Sequence, residues 1–276
     1  MLWIVLLAAR WVGMLAPMVL FGASLFELYA PTAPKGRRGY LAAAALLAAV
    51  ACLAWAACTI VSMTDDVAGL VDPTVLGDFF LGTSFGIAWL VRFTLLAAII
   101  AAAFSGRPAV LAFLSGLLLL SQVWLGHAAA FAESGDVVGV TAYVLHVLAA
   151  GVWIGGLAAL VPAVYGPPSE SLPATLIRFS QVGVAAVLVI IVSGVANAIF
   201  HISGLRALLH TNYGQIVLLK VGLLAITVVL AGDNRFRLLG ALPASLASLR
   251  RNVLVEQLLL AALVAAAAML GMEPPG

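Results

Sequence analysis

The sequence predicts an all-α integral membrane protein of about eight transmembrane helices, arranged as two parallel-repeat four-helix halves with both termini external. Three observations carry that expectation. Hydrophobic residues make up 64% of the chain and charged residues only 9%, against roughly 25% charged in soluble domains. The apolar residues come in unbroken Ala- and Leu-rich stretches of about 20 residues, the length a helix needs to cross roughly 30 Å of hydrocarbon. Finally, these stretches lack the short alternating pattern of a barrel strand. Hydrocarbon offers no partners to backbone polar groups, so helices and closed barrels are the spanning structures available, and here helices are expected.

In chain order the helices are expected over about 2–29, 41–63, 79–104, 108–128, 137–161, 175–200, 212–231 and 252–272. The first lacks a basic leader and its apolar run continues past Arg10 to Leu25, which fits a retained helix better than a cleaved signal peptide. Cys52 and Cys58 share the second helix, but an i, i+6 offset places them on different faces and argues against a bridge. The connections hold the breakers Pro31 and Pro34, Asp72-Pro73, Gly106 to Pro108, Gly166-Pro167-Pro168 and Pro243. None is long enough for a soluble catalytic domain. No G-x-x-x-x-G-K-[ST] loop occurs, so neither an enzyme nor a primary pump is expected, and no nucleic-acid partner.

Lys and Arg set the orientation. Lys35, Arg37, Arg38, Arg107, Arg178, Arg235, Arg237, Arg250 and Arg251 fall on alternate connections. The opposite set holds Arg206 with Asp65, Asp66, Asp72, Asp78, Glu133 and Asp136. The basic side is therefore expected in the cytoplasm. An internal repeat accompanies this asymmetry: Thr83-Ser-Phe-Gly86 leads to Arg92 as Thr211-Asn-Tyr-Gly214 leads to Lys220, in the third and seventh helices. A weaker echo pairs Phe21-Gly22 of helix one with Ile154-Gly155 of helix five. Four helices per unit is an even number, so both units insert alike, as a parallel repeat; the halves are expected at 1–128 and 129–276.

All four histidines, His127, His146, His201 and His210, fall toward the expected outer side. Any one alone reads most simply as a core residue; four on one side suggest a metal, because imidazole suits copper, zinc, iron and nickel. Sulfur adds to this. Met63, Met269 and Met272 sit at outer helix ends and Cys58 one turn deeper, with Cys52, Met14 and Met18 near the midplane. Met14 and Met18, at i and i+4, share a face. Thioethers favour Cu(I), although methionine also fills gaps in apolar cores. Asn197 and Ser193 form a polar stripe with His201, where Asn197 either orients the imidazole or bonds a neighbouring helix. Arg92 and Lys220 lie near the centres of their spans, where a lone cation costs about 2.5–3.5 kcal/mol. Structural or gating ion pairs with Glu27 or Glu256 are the expectation, and Arg10 poses the same problem.

Gly126-His127-Ala128, then His146 followed by Gly151-Val-Trp153-Ile-Gly155-Gly156-Leu157, resemble the copper resistance protein D (CopD) family. So do Arg178-Phe179-Ser180, Thr211-Asn-Tyr-Gly214 with Lys220, and Leu249-Arg250-Arg251 with Glu256. The resemblance runs from helix one to helix eight and is densest from residue 126 onward. It implies a multi-pass protein of the bacterial inner (plasma) membrane that binds, and in all expectation transports, copper in homeostasis or resistance. A periplasmic CopC-like partner is implied as well. The residues by themselves say only that an outward-facing His, Met and Cys site exists. A second reading stays open: paired histidines on neighbouring helices also hold haem b axially, as in a membrane electron-transfer cytochrome.

Overall fold

The computed structural model describes residues 2–30, 37–125, 128–167 and 169–274. Eight helical spans in it are long and apolar enough to cross a membrane: α1 (Leu2–Tyr29), α2 (Arg37–Thr64), α3 (Ser84–Ser105), α4 (Pro108–Leu120, continued by the 3-10 turn Ser121–Leu125), α5 (Val137–Tyr165), α6 (Leu172–His201), α7 (Asn212–Asp233) and α8 (Leu246–Leu270). The chain is thus an all-α integral membrane protein. Three short helices, Pro73–Gly82, Ala128–Ser134 and Leu205–His210, lie between spans.

The expected third helix begins five residues late because Thr83 takes an extended backbone (φ −131, ψ 146) and caps α3 through its hydroxyl. Residues 73–82 therefore form their own helix, opened by the Asp72 cap and Pro73. A side chain that accepts from an otherwise orphaned N–H is the usual solution at a helix start. Thr211 repeats the device before α7. Each threonine accepts from the glycine three residues on, at 2.8 Å for Gly86 and 3.0 Å for Gly214. Each also donates to the carbonyl four residues back, Phe79 or Ala207. Glycine is required at both places: a Cβ on Gly86 would lie 1.7 Å from the Phe79 carbonyl oxygen, and one on Gly214 2.3 Å from that of Leu208. The sequence repeat is thus one local structure formed twice.

At the centre α1 crosses α5. An ideal Cβ on Gly22 would sit 2.1 Å from the Gly151 carbonyl oxygen and 2.8 Å from the Gly155 Cα, so the backbones touch where the weaker echo placed its glycines. Small residues at such crossings let membrane helices approach closely. Around this pair, α1 carries α2 and α4 while α5 carries α6 and α8, and α8 also meets α1 as α4 meets α5. The third helix of each set sits outermost. α3 packs on both α2 and α4; α7 packs on α8 but scarcely touches α6. A seam therefore runs between α6 and α7.

Candidate functional site

Near the helix ends that carry both termini, a cavity of ≈ 200 Å³ opens between α1, α5, α6, α7 and α8. Met14 and Met18 enter it from the same face of α1, as their spacing requires. α5 contributes Tyr143 and His146, α6 Asn197 and His201, and α7 Tyr213 and Lys220. Arg10 closes one side. Its guanidinium donates to the Gly271 carbonyl (2.9 Å) and lies 4.8 Å over the Trp55 ring.

The hydrogen bonds of the two imidazoles decide their tautomers. The Ser193 hydroxyl donates to the Val189 carbonyl at 2.5 Å, so the Ser193 oxygen 3.1 Å from His146 Nδ1 accepts from that nitrogen. His201 Nδ1 lies 2.8 Å from the Asn197 carbonyl, which can only accept. His201 therefore carries a proton on Nδ1, and His146 does so when Ser193 keeps its bond to Val189, leaving Nε2 as its basic nitrogen. This is how metal-binding histidines are usually held. Gly194 makes room for the first ring: a Cβ there would lie 3.3 Å from His146 Cε1.

Of the residues expected to bind or gate, Met14, Met18, His146, His201 and Lys220 meet in this cavity. His127 lies outside the described residues. His210 does not join them: it ends Leu205–His210, a helix that buries none of its side chains, and it is exposed. Asn197 takes neither expected role, since its backbone, not its amide, holds His201. Nor do the central charges pair as expected. Arg92 is fully buried and donates to the Leu118 carbonyl (3.2 Å), the Ser121 hydroxyl (2.8 Å) and the Cys52 sulfur (3.5 Å). Those acceptors are neutral, its Nε has no partner, and no carboxylate pairs with it among the described residues. Glu256, 2% exposed, accepts from Asn234 instead. Glu27 lines neither this cavity nor the second one described next.

That second cavity, of ≈ 320 Å³, lies along the same α6–α7 seam toward the other end of the bundle. Its walls are apolar. One end carries Glu256, Asn234 and Arg235, with Arg235 donating to Ser180 at 2.6 Å. Asn252 donates to Asn234 (2.9 Å) and to Asp233 (3.3 Å). Sequence reasoning passed over Asn234, Asn252, Gln122 and Tyr143. The available sign was a polar residue inside an otherwise apolar span, which marks a side chain turned from lipid toward protein.

Among the described residues no three histidine, cysteine or carboxylate side chains converge. A metal in the cavity nearer the termini would therefore draw on the Met14 and Met18 thioethers beside imidazole, a soft set that selects Cu(I).

Two family models match the chain: "Copper resistance protein D-like, N-terminal domain" over residues 1–137 and "Copper resistance protein D" over residues 173–270. Copper resistance protein D of Pseudomonas syringae pv. tomato is 30% identical over 239 residues, which take in 79% of this chain and 77% of that protein. The chain belongs to the copper resistance protein D family. Two further relatives match over shorter stretches, and the first is the longer protein. Copper transport protein CutJ of Bacillus subtilis (strain 168) is 35% identical over 57% of this chain, a match that spans 31% of CutJ. Inner membrane protein YebZ of Escherichia coli (strain K12) is 33% identical over 56% of each chain. No solved structure matches. Both conserved-domain matches meet at the cavity nearer the termini: Met14 and Met18 come from the N-terminal match, His201 and Lys220 from the C-terminal one.

Proposed function

We propose that this copper resistance protein D family member binds copper in the outer cavity and passes it across the bacterial inner membrane. The observation that carries this reading is the meeting, in one cavity, of two thioethers and two imidazoles whose Nδ1 nitrogens are already hydrogen-bonded. Met14, Met18 and His146 are the proposed ligands, with His201 beside them and His127 as a further donor. The chain is read as two like four-helix units, 1–128 and 129–276, with the cavity opening to the periplasm, where a CopC-like protein would deliver the ion. It acts as a carrier and not as an enzyme. The second cavity, lower on the same α6–α7 seam, is the continuation of the route, with Glu256 and Asn234 at its polar end.

Haem b fits less well. The cavity's ≈ 200 Å³ is below the roughly 300 Å³ at which pockets for drug-sized ligands begin, and a haem macrocycle is larger than most of those. Metal analysis and an absorption spectrum of the purified protein separate the two. Colourless protein that binds Cu(I) under anaerobic titration, and loses that binding in His146→Ala and in Met14→Leu/Met18→Leu, supports copper. A Soret band without copper, or wild-type copper stoichiometry and affinity in those variants, overturns the proposal.

A further inference from the structure

Arg10 and Lys220 both line the outer cavity, and no carboxylate does among the described residues. Thioether and neutral imidazole are uncharged donors, so a copper ion held by them alone would bring a further positive charge beside two cations in surroundings of low dielectric, where like charges repel strongly.

Four polar atoms of residues lining the cavity are buried without a hydrogen-bond partner: the donors Arg10 Nε and Gln122 Nε2 and the acceptors Gln122 Oε1 and Asn197 Oδ1; Gln122 is 3% exposed. The two donors suit an anion. Buried polar groups are nearly always satisfied in native proteins, and each exception calls for a missing partner. Lys220 makes no hydrogen bond or ion pair with any described residue. Arg92, nine residues into α3 as Lys220 is into α7, donates to three protein acceptors, although its own Nε also lacks a partner. Lys220 has a cavity where Arg92 has acceptors. Arg10 cannot swing away to find one, because it is tied to Gly271 and stacked on Trp55.

Building on the copper reading above, we infer that the cavity holds a small monoanion between Arg10 and Lys220, and that copper occupies it together with that anion instead of as the bare ion. The anion accepts from Arg10, Lys220 and Gln122 and at the same time offsets the charge of the metal. With water taking about 30 Å³ per molecule in the liquid, ≈ 200 Å³ accommodates an ion and a small companion. Chloride, which ligates Cu(I), is the probe of choice.

The test uses the full chain purified in detergent. Cu(I) is titrated anaerobically against a competing chelator in chloride buffer and in methanesulfonate buffer of equal ionic strength. Radiolabelled chloride binding is measured alongside by equilibrium dialysis without copper. Copper affinity should fall tenfold or more when chloride is withdrawn. Lys220→Gln should still bind copper but lose both the chloride dependence and the retained chloride, and Lys220→Arg should restore them. Equal copper affinity in the two buffers overturns the inference, whether or not chloride is retained. A chain that retains chloride in a Lys220-dependent way but binds no copper keeps the anion site and removes the copper reading. A chain that does neither removes both.

Discussion

The crossing of α1 and α5 is the place where a single methyl group should do most damage. An added Cβ at Gly22 would meet the Gly151 oxygen at 2.1 Å, the Gly155 Cα at 2.8 Å and the Gly156 nitrogen at 2.9 Å. Every one of these is backbone, so no side chain can rotate out of the way and the helices must part. Restoring ordinary contact takes a separation of about 1 Å, and gaps of that size forfeit a quarter to a half of each dispersion well along the interface. Overpacking of this kind costs typically 1–3 kcal/mol, and a purely backbone clash belongs near the top of that range. Gly222→Ala is the control, since nothing lies within 4 Å of its Cβ position; there alanine should be neutral or gain up to about 1 kcal/mol of helix propensity. Gly22→Ala is therefore expected to melt roughly 5–10 °C below Gly222→Ala in detergent, using about 2–4 °C per kcal/mol for chains of this size. The same displacement moves Met14 and Met18 on α1 away from His146 on α5, so copper affinity should fall with stability. A Gly22→Ala protein that melts with the control and binds copper normally would refute the close crossing and its role in assembling the ligands.

His146→Ala should lower copper affinity at least tenfold, whereas His210→Ala, exposed and outside the cavity, should bind as the unaltered chain does in the same titration. Arg92→Met leaves no carboxylate unpaired, and Ser121 still satisfies the Leu118 carbonyl at 2.6 Å. Its cost in a thermal melt should be the roughly 1–3 kcal/mol of lost charged hydrogen bonds, below the 3–5 kcal/mol of a broken buried ion pair; neutralising Glu27 or Glu256 as well should recover none of it. Reporter fusions at either terminus should be active in the periplasm and silent in the cytoplasm, because Lys35, Arg37, Arg235 and Arg237 lie on the opposite side; a cytoplasmic reporter active at the C-terminus would reverse the orientation.

The spans were legible because a membrane imposes one length and one composition on a helix, and α1 and α5 satisfy both. That Met14 and Met18 line one cavity was legible for a similar reason: i, i+4 spacing places them on one face whatever surrounds them. What the sequence concealed depends on residues far apart along the chain. Arg92 finds its acceptors 26, 29 and 40 residues away, and one of them is a backbone carbonyl, which has no identity in a sequence. Opposite charge was a reasonable guide to partners, but in this interior a hydroxyl, a carbonyl and a thiol do the same work. His210 misled because proximity to a helix start said nothing about the turn of chain, Leu205–His210, that holds it outside.

The two copies of the Thr-to-Gly cap motif open helices that end in different surroundings. Thr83 and Thr211 cap α3 and α7 in the same way, and Arg92 and Lys220 stand at the same distance into their spans. In the first half α2 closes on α3, Trp55 and Trp89 meet edge to face with centroids 5.3 Å apart, and Cys52 reaches the cation. In the second, α6 presents Gly194, Asn197 and His201 at the corresponding depth and stays apart from α7. Bulky aromatic packing fills the contact between α2 and α3; along the α6–α7 seam small and polar residues line cavities that α1 and α5 help to close.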